Sequence, residues 1–235
     1  MDIDEGGLSR RERLRVEASR EIKAIALRQM AEGGPGAISL RGIAREMRMT
    51  ARAIYSYFPT RDDLITALIS EIAASLAEAL ESASDAVPDT DPGGRLMAWG
   101  QALRDWALAH PESFRLFYGQ PVPGYKPPED GPVDQTARRV CRELTRLVAT
   151  AWPQARHHQP EDTSWSDLHP DYVAKIQEDL PDVPPAAAAL ALRVWGRMHG
   201  LVALEIDGHI HPVAGNPAAL HRAEMLDLVK SLGLD

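Results

Sequence analysis

Apolar residues recur at steps of three and four along almost the whole chain, and this spacing is the strongest constraint on its fold. Such spacing places apolar side chains on one face of an α-helix. No segment shows the apolar–polar alternation and hairpin turns that are typical of strands. We therefore predict an all-α fold. In the first segment the recurring residues are Leu14, Ala18, Ile22, Ile25, Ala26 and Met30.

Turn and capping residues divide this pattern into about nine helices. Ser39 and Thr60 can act as N-caps, and the run Gly33–Gly36 ends the first helix. The first four helices are predicted over Ser9–Glu32, Leu40–Met47, Thr50–Phe58 and Thr60–Ser84. Further helices are predicted over Leu96–Ala109, just after Pro111, and over Val133–Ala151, Ala186–Ile206 and Pro217–Leu232. Irregular connections are expected at Val87–Gly94, Gln120–Gly131 and Pro153–Pro170, the last of these exposed or poorly ordered.

Charge is distributed unevenly along the 235 residues, whose net charge is −8. Between Ser9 and Arg61 there are 12 Lys and Arg against five Glu, a balance of +7. Between Thr66 and Asp235 there are 14 Lys and Arg against 24 Asp and Glu, a balance of −10. A basic head on an acidic body favours an approach to DNA head first, although helical surfaces are commonly charged.

Cysteine content and hydropathy indicate a cytoplasmic protein. The one cysteine, Cys141, excludes an internal disulfide and a zinc site with several thiolates. No apolar run approaches the roughly 18 residues that span a membrane. The acidic and polar Met1–Gly7 does not resemble a secretory signal.

Residues Ser39–Leu64 have the pattern of a helix-turn-helix, in which two short helices are joined by a turn of about three residues. Ala44 is small where the two helices must cross closely. The apolar side of this small core is expected to come from Ile43, Met47, Met49, Ile54 and Phe58.

The second of these helices then has an outer face suited to DNA. Thr50, Ala51, Arg52, Tyr55 and Tyr57 lie on or near it. The guanidinium of Arg52 matches guanine O6 and N7, and tyrosine hydroxyls can hold phosphates. The competing interpretation is that Tyr55 and Tyr57 are core aromatics.

The same stretch resembles the DNA-binding signature of the TetR/AcrR family. That signature has the form I-A-x-x-x-G-V-S-x-x-x-L-Y-x-Y-F-x-x-K-x-x-L. The chain matches it at Ile43-Ala44, Met49-Thr50, Ile54-Tyr55, Tyr57-Phe58, Arg61 and Leu64. With its first helix included, the resemblance covers about a quarter of the chain.

The chain departs from the signature at two positions. Arg48 stands where the family usually has Gly, so either the turn differs or Arg48 carries a left-handed backbone that costs about 1 kcal/mol or more. Arg61 stands where the family commonly has Lys, which keeps the charge. We expect both to contact phosphates. The DNA-binding residues are predicted to be Ser39, Arg48, Thr50, Ala51, Arg52, Tyr55, Tyr57 and Arg61.

A second, shorter match lies near the C-terminus. Residues Trp195, His199 and Gly200 resemble the Trp-x-x-x-His-Gly (WHG) signature of one TetR C-terminal subgroup. Gly196 and Gly200 share a helix face, where glycine costs about 1 kcal/mol against alanine, so a close neighbour is expected. The resemblance implies that this helix and the last one pair across a two-fold axis as a four-helix bundle in a homodimer. Its apolar contacts are expected from Leu201, Leu204, Leu220, Leu226 and Val229.

Tryptophan is concentrated in the larger domain, where Met97 and Met198 also lie, and cavities lined by aromatic and Met side chains suit an apolar ligand. All five Trp lie outside the head. The alternative is an ordinary core, and for His199 a satisfied interior histidine. The candidate ligand-binding residues are Trp99, Leu103, Trp106, Phe114, Phe117, Tyr118, Trp195 and His199.

Catalytic motifs are missing from the sequence. It has no Gly-rich phosphate loop and no Gly-x-Ser-x-Gly elbow. A metal site is a weaker interpretation than a solvated loop for the group His157, His158, Glu161, Asp162, Asp167 and His169, because their spacing is not helical. We expect no metal, no cofactor and no enzymatic activity.

These observations predict a DNA-binding domain over residues 9–62 and a ligand-binding and dimerisation domain over residues 63–235. We expect a homodimeric repressor that binds a pseudo-palindromic DNA operator and is released by a small, largely apolar effector. The alternative is an all-helical small-molecule-binding protein without a DNA role.

Overall fold

A computed structural model describes residues 9–128, 131–159 and 163–234. Within these ranges the chain forms ten α-helices and no β-strand, which confirms the all-α prediction. Short 3₁₀ turns lie at Pro35–Ala37, Arg156–His158 and Trp165–Asp167. The helices are α1 (Arg10–Gly33), α2 (Leu40–Glu46), α3 (Ala51–Tyr55), α4 (Arg61–Asp85), α5 (Pro92–Ala109), α6 (Pro111–Tyr118), α7 (Pro132–Ala155), α8 (Pro170–Asp179), α9 (Pro185–Ile206) and α10 (Pro217–Ser231).

The chain divides into two compact units. The head unit comprises the described residues of Met1–Ile72 and Glu112–Asp134, and the body unit comprises those of Ala73–Pro111 and Gln135–Asp235. Helix α4 therefore begins in the head unit and ends in the body unit. Most of α6 and the segment after it belong to the head unit. The predicted domain boundary after residue 62 stays a prediction.

The head unit is built around the apolar face of α1. Ile22 and Ala26 of this helix are fully buried, as are Ile43 of α2 and Ile54 of α3. The helix begins with a capping box, in which the Ser9 hydroxyl accepts from the Glu12 N–H and the Glu12 carboxylate accepts from the Ser9 N–H. The N-terminal half of α1, before Ile22, is mostly exposed.

Helix α5 is the most buried helix of the body unit. A Cβ built on Gly100 would lie 2.6 Å from the sulfur of Met225 in α10, so α5 and α10 approach closely. Arg104 of α5 donates two hydrogen bonds, of 2.8 and 2.7 Å, to the carboxylate of Glu205 in α9. Both side chains are buried, and the two hydrogen bonds pair the opposite charges, which offsets the cost of removing them from water.

Several helix bounds differ from the sequence prediction. Helix α3 ends at Tyr55 rather than at Phe58, and α7 continues through Pro153 to Ala155, where a loop was predicted. Helix α5 begins at Pro92, four residues before the predicted start, because Asp91 caps it by accepting from the Gly94 N–H at 2.7 Å. Pro at the first position of a helix follows the usual N-terminal preference. The prediction took this Asp-Pro-Gly run as a loop, whereas it is a helix start.

Helix α8 was not predicted. It begins at Pro170 behind His169, whose ring accepts from the Asp171 N–H at 3.3 Å. Its one buried side chain, Ile176, packs in a cluster with Val183 and the start of α9. A single buried residue in ten gives little apolar period, so the sequence pattern carries no clear signal for this helix.

Two other expectations concern membranes and metals. No helix of the described ranges is long and apolar enough to cross a membrane. The same ranges contain no group of three side chains placed to hold a metal ion. Glu161 and Asp162, two members of the candidate metal group, lie outside the described residues.

Candidate nucleic-acid interface

Helices α2 and α3 form the predicted helix-turn-helix. The turn is closed by the Met49 N–H, which donates to the carbonyl of Ala44 at 2.8 Å. Arg48 has φ of 55° and is the one non-glycine residue with positive φ among the described residues. Arg48 therefore carries the left-handed backbone at the position where glycine was expected.

The side chains of α3 divide into an anchored face and an exposed face. Thr50 caps the helix, its hydroxyl oxygen accepting from the Ala53 N–H at 3.2 Å. Ile54 is fully buried and fixes the helix to the core. Ala51, Arg52 and Tyr55 are exposed, Tyr55 by 40%, so the side chains predicted to meet bases and phosphates lie at the surface.

Ser39 sits at the N-terminus of α2. Its hydroxyl oxygen accepts from the Gly42 N–H at 3.2 Å, and its own N–H donates to the side chain of Gln29 at 2.9 Å. Ser39 thus caps α2, as predicted, and its hydrogen bond to Gln29 links the start of α2 to α1. A helix N-terminus with a free hydroxyl donor is compatible with a phosphate contact.

Arg15 of α1 contacts the end of the recognition helix, a relationship the sequence prediction missed. Its Nη2 donates to the Ser56 carbonyl at 2.9 Å, where the C-terminal end of α3 favours a cation. Its guanidinium carbon lies 4.9 Å from the ring centroid of Tyr57. The clustering of arginines at the start of α1 was the available signal, but the partners are 41 and 42 residues away.

Arg61 is placed differently from a simple phosphate contact. Its Nε donates to the Ile38 carbonyl at 3.0 Å, its Nη2 to the Pro35 carbonyl at 3.2 Å and its Nη1 to the Pro123 carbonyl at 3.4 Å. The side chain is 29% exposed. All three guanidinium nitrogens therefore point at backbone carbonyls within the head unit.

Further exposed arginines extend the basic character of the helix-turn-helix. Arg41 and Arg45 of α2 are exposed, like Arg48 and Arg52. Neither Arg41 nor Arg45 has an ion pair among the described residues. The sequence prediction did not single out these two, because Arg41 precedes the family signature and Arg45 stands at one of its unspecified positions. Together the four arginines give this surface the positive charge that attracts a phosphate backbone.

The predicted ligand-binding residues separate into three groups. Trp99, Leu103 and Trp106 share one face of α5 in the body unit, and all three are buried. The indole N–H of Trp106 donates to the Ser75 hydroxyl at 3.1 Å. The indole N–H of Trp99, which is 0% exposed, has no hydrogen-bond partner within the described part of the chain.

The second group lies on α6 in the head unit. The ring centroids of Phe114 and Tyr118 are 5.1 Å apart, and those of Phe117 and Tyr118 are 4.6 Å apart. The third group lies on α9, where Trp195 is 38% exposed and its ring centroid is 5.2 Å from that of His199. Burial lowers the pKa of His199. The members of each group therefore share one helix, but the three groups lie on different helices, α5, α6 and α9.

The surface of α9 is open at both glycines of the WHG region. A Cβ built on Gly196 or on Gly200 would meet no atom within 4 Å. Leu204, Leu220 and Leu226 of the predicted apolar contacts are exposed, whereas Leu201 is partly buried. The prediction that Val229 contributes to the dimer contact is wrong, because Val229 is buried within the protomer. A Cβ built on Gly93 would lie 3.0 Å from its side chain.

Two protein-family models match the chain, one over the helix-turn-helix and one over the C-terminal helices. Residues 22–68 match the model described as bacterial regulatory proteins, tetR family. Residues 96–228 match the model described as tetracyclin repressor-like, C-terminal domain. The first match covers the helix-turn-helix, and the second covers α5 to α10 almost completely.

Individual proteins agree with these models. The HTH-type transcriptional regulator Rv1816 of Mycobacterium tuberculosis is 28% identical over 202 residues, covering 86% of this chain and 85% of that protein. Mb1846 of Mycobacterium bovis, also an HTH-type transcriptional regulator, has the same identity and coverage. The crystal structure of the regulatory protein SCO4313 is similar with a TM-score of 0.74 and 32% identity, covering 94% of this chain and all of that one.

A helix-turn-helix with an exposed basic second helix, joined to an all-α body, defines a DNA-binding transcriptional regulator rather than an enzyme. With both family models and the relatives in agreement, the chain belongs to the TetR family. A tetR family protein from Rhodococcus RHA1, with a TM-score of 0.65 and 20% identity, shares the fold. This assignment excludes the alternative of a helical binding protein without a DNA role.

Proposed function

We propose that the protein is a homodimeric repressor that binds a pseudo-palindromic operator through α3 and is released by a small effector. The observation that carries the proposal is the division of α3, with Ile54 buried and Ala51, Arg52 and Tyr55 exposed. This arrangement presents the first turn of α3 to the major groove, as recognition helices require.

The exposed residues suggest a division of roles on DNA. Arg52 suits a bidentate contact to guanine, Thr50 can bond to a base edge, and Ala51 can contact a thymine methyl group. The exposed Tyr55 and the half-buried Tyr57 suit phosphate contacts that fix the register of α3 without reading sequence. Ser39 and Arg48 are proposed as phosphate contacts at the start of α2 and in the turn.

The exposed face of α9 and α10 supports a dimer. Glycine in a helix interior costs about 1 kcal/mol, yet nothing in the protomer approaches Gly196 or Gly200. The close neighbour that would explain both glycines can come from a second copy. Trp195 shares this open region and is better explained as part of the dimer surface than as a pocket residue. Exposed leucines at positions 192, 204, 220 and 226 add apolar area.

The α5 face is the best-supported part of the effector site. Trp99, Leu103 and Trp106 form an apolar surface, and the unpartnered indole N–H of Trp99 offers one hydrogen bond. A buried donor without a partner costs about 1–3 kcal/mol, so an effector with one acceptor group would relieve it. Repressor release follows if the effector binds more tightly to a state whose head spacing does not fit the operator.

The test is a DNase I footprint on the DNA upstream of the protein's own reading frame. We expect two protected half-sites related by a pseudo-dyad, with centres about one helical turn, roughly 34 Å, apart. Reporter expression from the same DNA should rise when the gene is deleted. A single protected half-site, or lower expression on deletion, would contradict the dimeric repressor.

A further inference from the structure

Arg61 connects two loops that are distant in sequence. The carbonyls of Pro35 and Ile38 belong to the loop between α1 and α2, and the carbonyl of Pro123 follows α6. Ile38 directly precedes Ser39, the N-cap of α2. One guanidinium therefore joins the residue before α2, Ile38, to Pro123, which lies 85 positions further along the chain.

A second contact joins the same segment to α4. We name residues 119–128 the proline-rich segment; it contains Pro121, Pro123, Pro127 and Pro128. The hydroxyl of Tyr125 is 3.0 Å from the hydroxyl of Thr66 in α4. Val122 is buried, and the Tyr125 N–H donates to its carbonyl at 3.1 Å. The segment is thus attached to the head unit by a buried side chain and by hydrogen bonds at both Arg61 and Tyr125.

The contacts of Arg61 depend on arginine rather than on positive charge. A guanidinium presents donors in a planar fork, so it can reach carbonyls in different directions at once. A lysine at this position carries one ammonium nitrogen and cannot span the same three carbonyls. The TetR signature commonly has lysine here, so the arginine is a departure that the structure explains by these contacts.

We propose that Arg61 and Tyr125 are positioning residues for operator binding, which hold the proline-rich segment against α4 and the start of α2. The inference rests on the proposed function, because it concerns the geometry with which α2 and α3 meet DNA. The proline-rich segment lies, in sequence, between two stretches of the body unit, Ala73–Pro111 and Gln135–Asp235. Attachment of this segment therefore ties the stretch of chain between those two ranges to the start of α2.

The decisive variant is Arg61→Lys, which keeps the charge and removes the fork. We expect operator affinity to fall about fivefold to tenfold, as for the loss of one or two hydrogen bonds, with an unchanged salt dependence. Tyr125→Phe should lower affinity by a smaller factor. The double variant should lose less than the product of the two factors, because both residues hold the same segment. Fluorescence anisotropy across a salt series measures all four proteins.

Matched controls separate this role from general damage. Arg20→Lys makes the same change at an exposed arginine of α1, and Tyr172→Phe removes a hydroxyl that donates to Ala188 in the body unit. Both should bind the operator like the parent. Circular dichroism should show parental helicity and a similar Tm for every variant. A direct phosphate contact by Arg61 would give a different result. In that case Arg61→Lys would bind the operator like the parent and Arg61→Ala would reduce the salt dependence of binding, which would contradict the positioning role.

Hydrogen exchange provides a readout that needs no DNA. Arg61→Lys should raise amide exchange in residues 119–128 and at Ile38–Ser39, while exchange in α9 stays parental. If the parent binds no specific operator but this exchange change occurs, the proposed function fails and the attachment stands. If Arg61→Lys and Tyr125→Phe both bind and exchange like the parent, the inference is wrong.

Discussion

The guanidinium carbon of Arg15 lies 4.9 Å from the ring centroid of Tyr57, so the first helix supports a residue two positions beyond the end of the recognition helix α3. We expect Arg15→Ala to lower the free energy of unfolding by about 1 kcal/mol, through loss of an exposed cation–π contact and the bond to Ser56. Operator affinity should fall as well, because Tyr57 loses its fixed position. Urea unfolding and anisotropy measure the two effects, with Arg20→Ala as the control on the same helix.

The left-handed backbone of Arg48 leads to a stability prediction. Arg48→Gly should raise the free energy of unfolding by about 1 kcal/mol, since glycine adopts positive φ without strain. The matched control is Arg45→Gly, in the last turn of α2, which should lower it because glycine is a poorer helix former. Urea denaturation compares both with the parent. If Arg48→Gly is less stable than the parent, the side chain contributes more than its backbone costs.

Base recognition by Arg52 can be tested position by position. Arg52→Ala should cost about 1–3 kcal/mol per half-site and relax the preference at one base pair. Competition with operators substituted at each position identifies that pair. Arg41→Ala, at an exposed arginine of α2, should instead weaken all sequences equally. An equal loss on every operator for Arg52→Ala would make Arg52 a phosphate contact.

The open glycines of α9 allow the dimer surface to be blocked without disturbing the protomer. Gly196→Leu should leave the helix intact, because nothing lies within 4 Å of the added carbon. The variant should sediment as a monomer of 25.8 kDa, whereas the parent should sediment at about twice that mass. Gly215→Leu, also in open space but outside α9, should remain dimeric. A dimeric Gly196→Leu would place the interface elsewhere.

His221 of α10 predicts a pH dependence of stability. It is 1% exposed, and neither ring nitrogen has a hydrogen-bond partner among the described residues. Burial, and then the charge of Arg104, lower its pKa; Glu205, Asp105 and Glu224 oppose this shift. A lowered pKa in the folded state means that the unfolded chain binds the proton first. The stabilisation is complete above the ordinary histidine pKa, about 6.5, and is lost as pH falls below it.

Urea unfolding between pH 5 and 8 measures this dependence. Replacing the imidazole with an apolar ring, His221→Phe, should flatten the acid side of the profile. His209→Phe, at an exposed histidine, should leave the profile unchanged. Equal profiles for the parent and His221→Phe would show that His221 does not titrate with folding.

The sequence predicted features that depend on residues close together in the chain, and it missed contacts between residues far apart. The helix-turn-helix was predictable because Ile43, Ala44 and Ile54 act through spacing within a few residues. The contacts of Arg15 with Ser56 and of Arg61 with Pro123 join residues 41 and 62 positions apart, and periodicity carries no such information. The ligand-binding candidates were chosen by residue type and stay a prediction; composition could not show that Trp195 is 38% exposed whereas Trp99 is buried.

The attachment of the proline-rich segment also sets an order for folding during synthesis. The bonds of Arg61 to Pro123 and of Thr66 to Tyr125 close only after residue 125 has left the ribosome, when more than half of the chain has been made. A nascent chain of 72 residues holds the whole helix-turn-helix but lacks these contacts. The DNA-binding surface therefore acquires its full set of tertiary bonds late in translation, unlike an N-terminal domain that is complete when its own sequence ends.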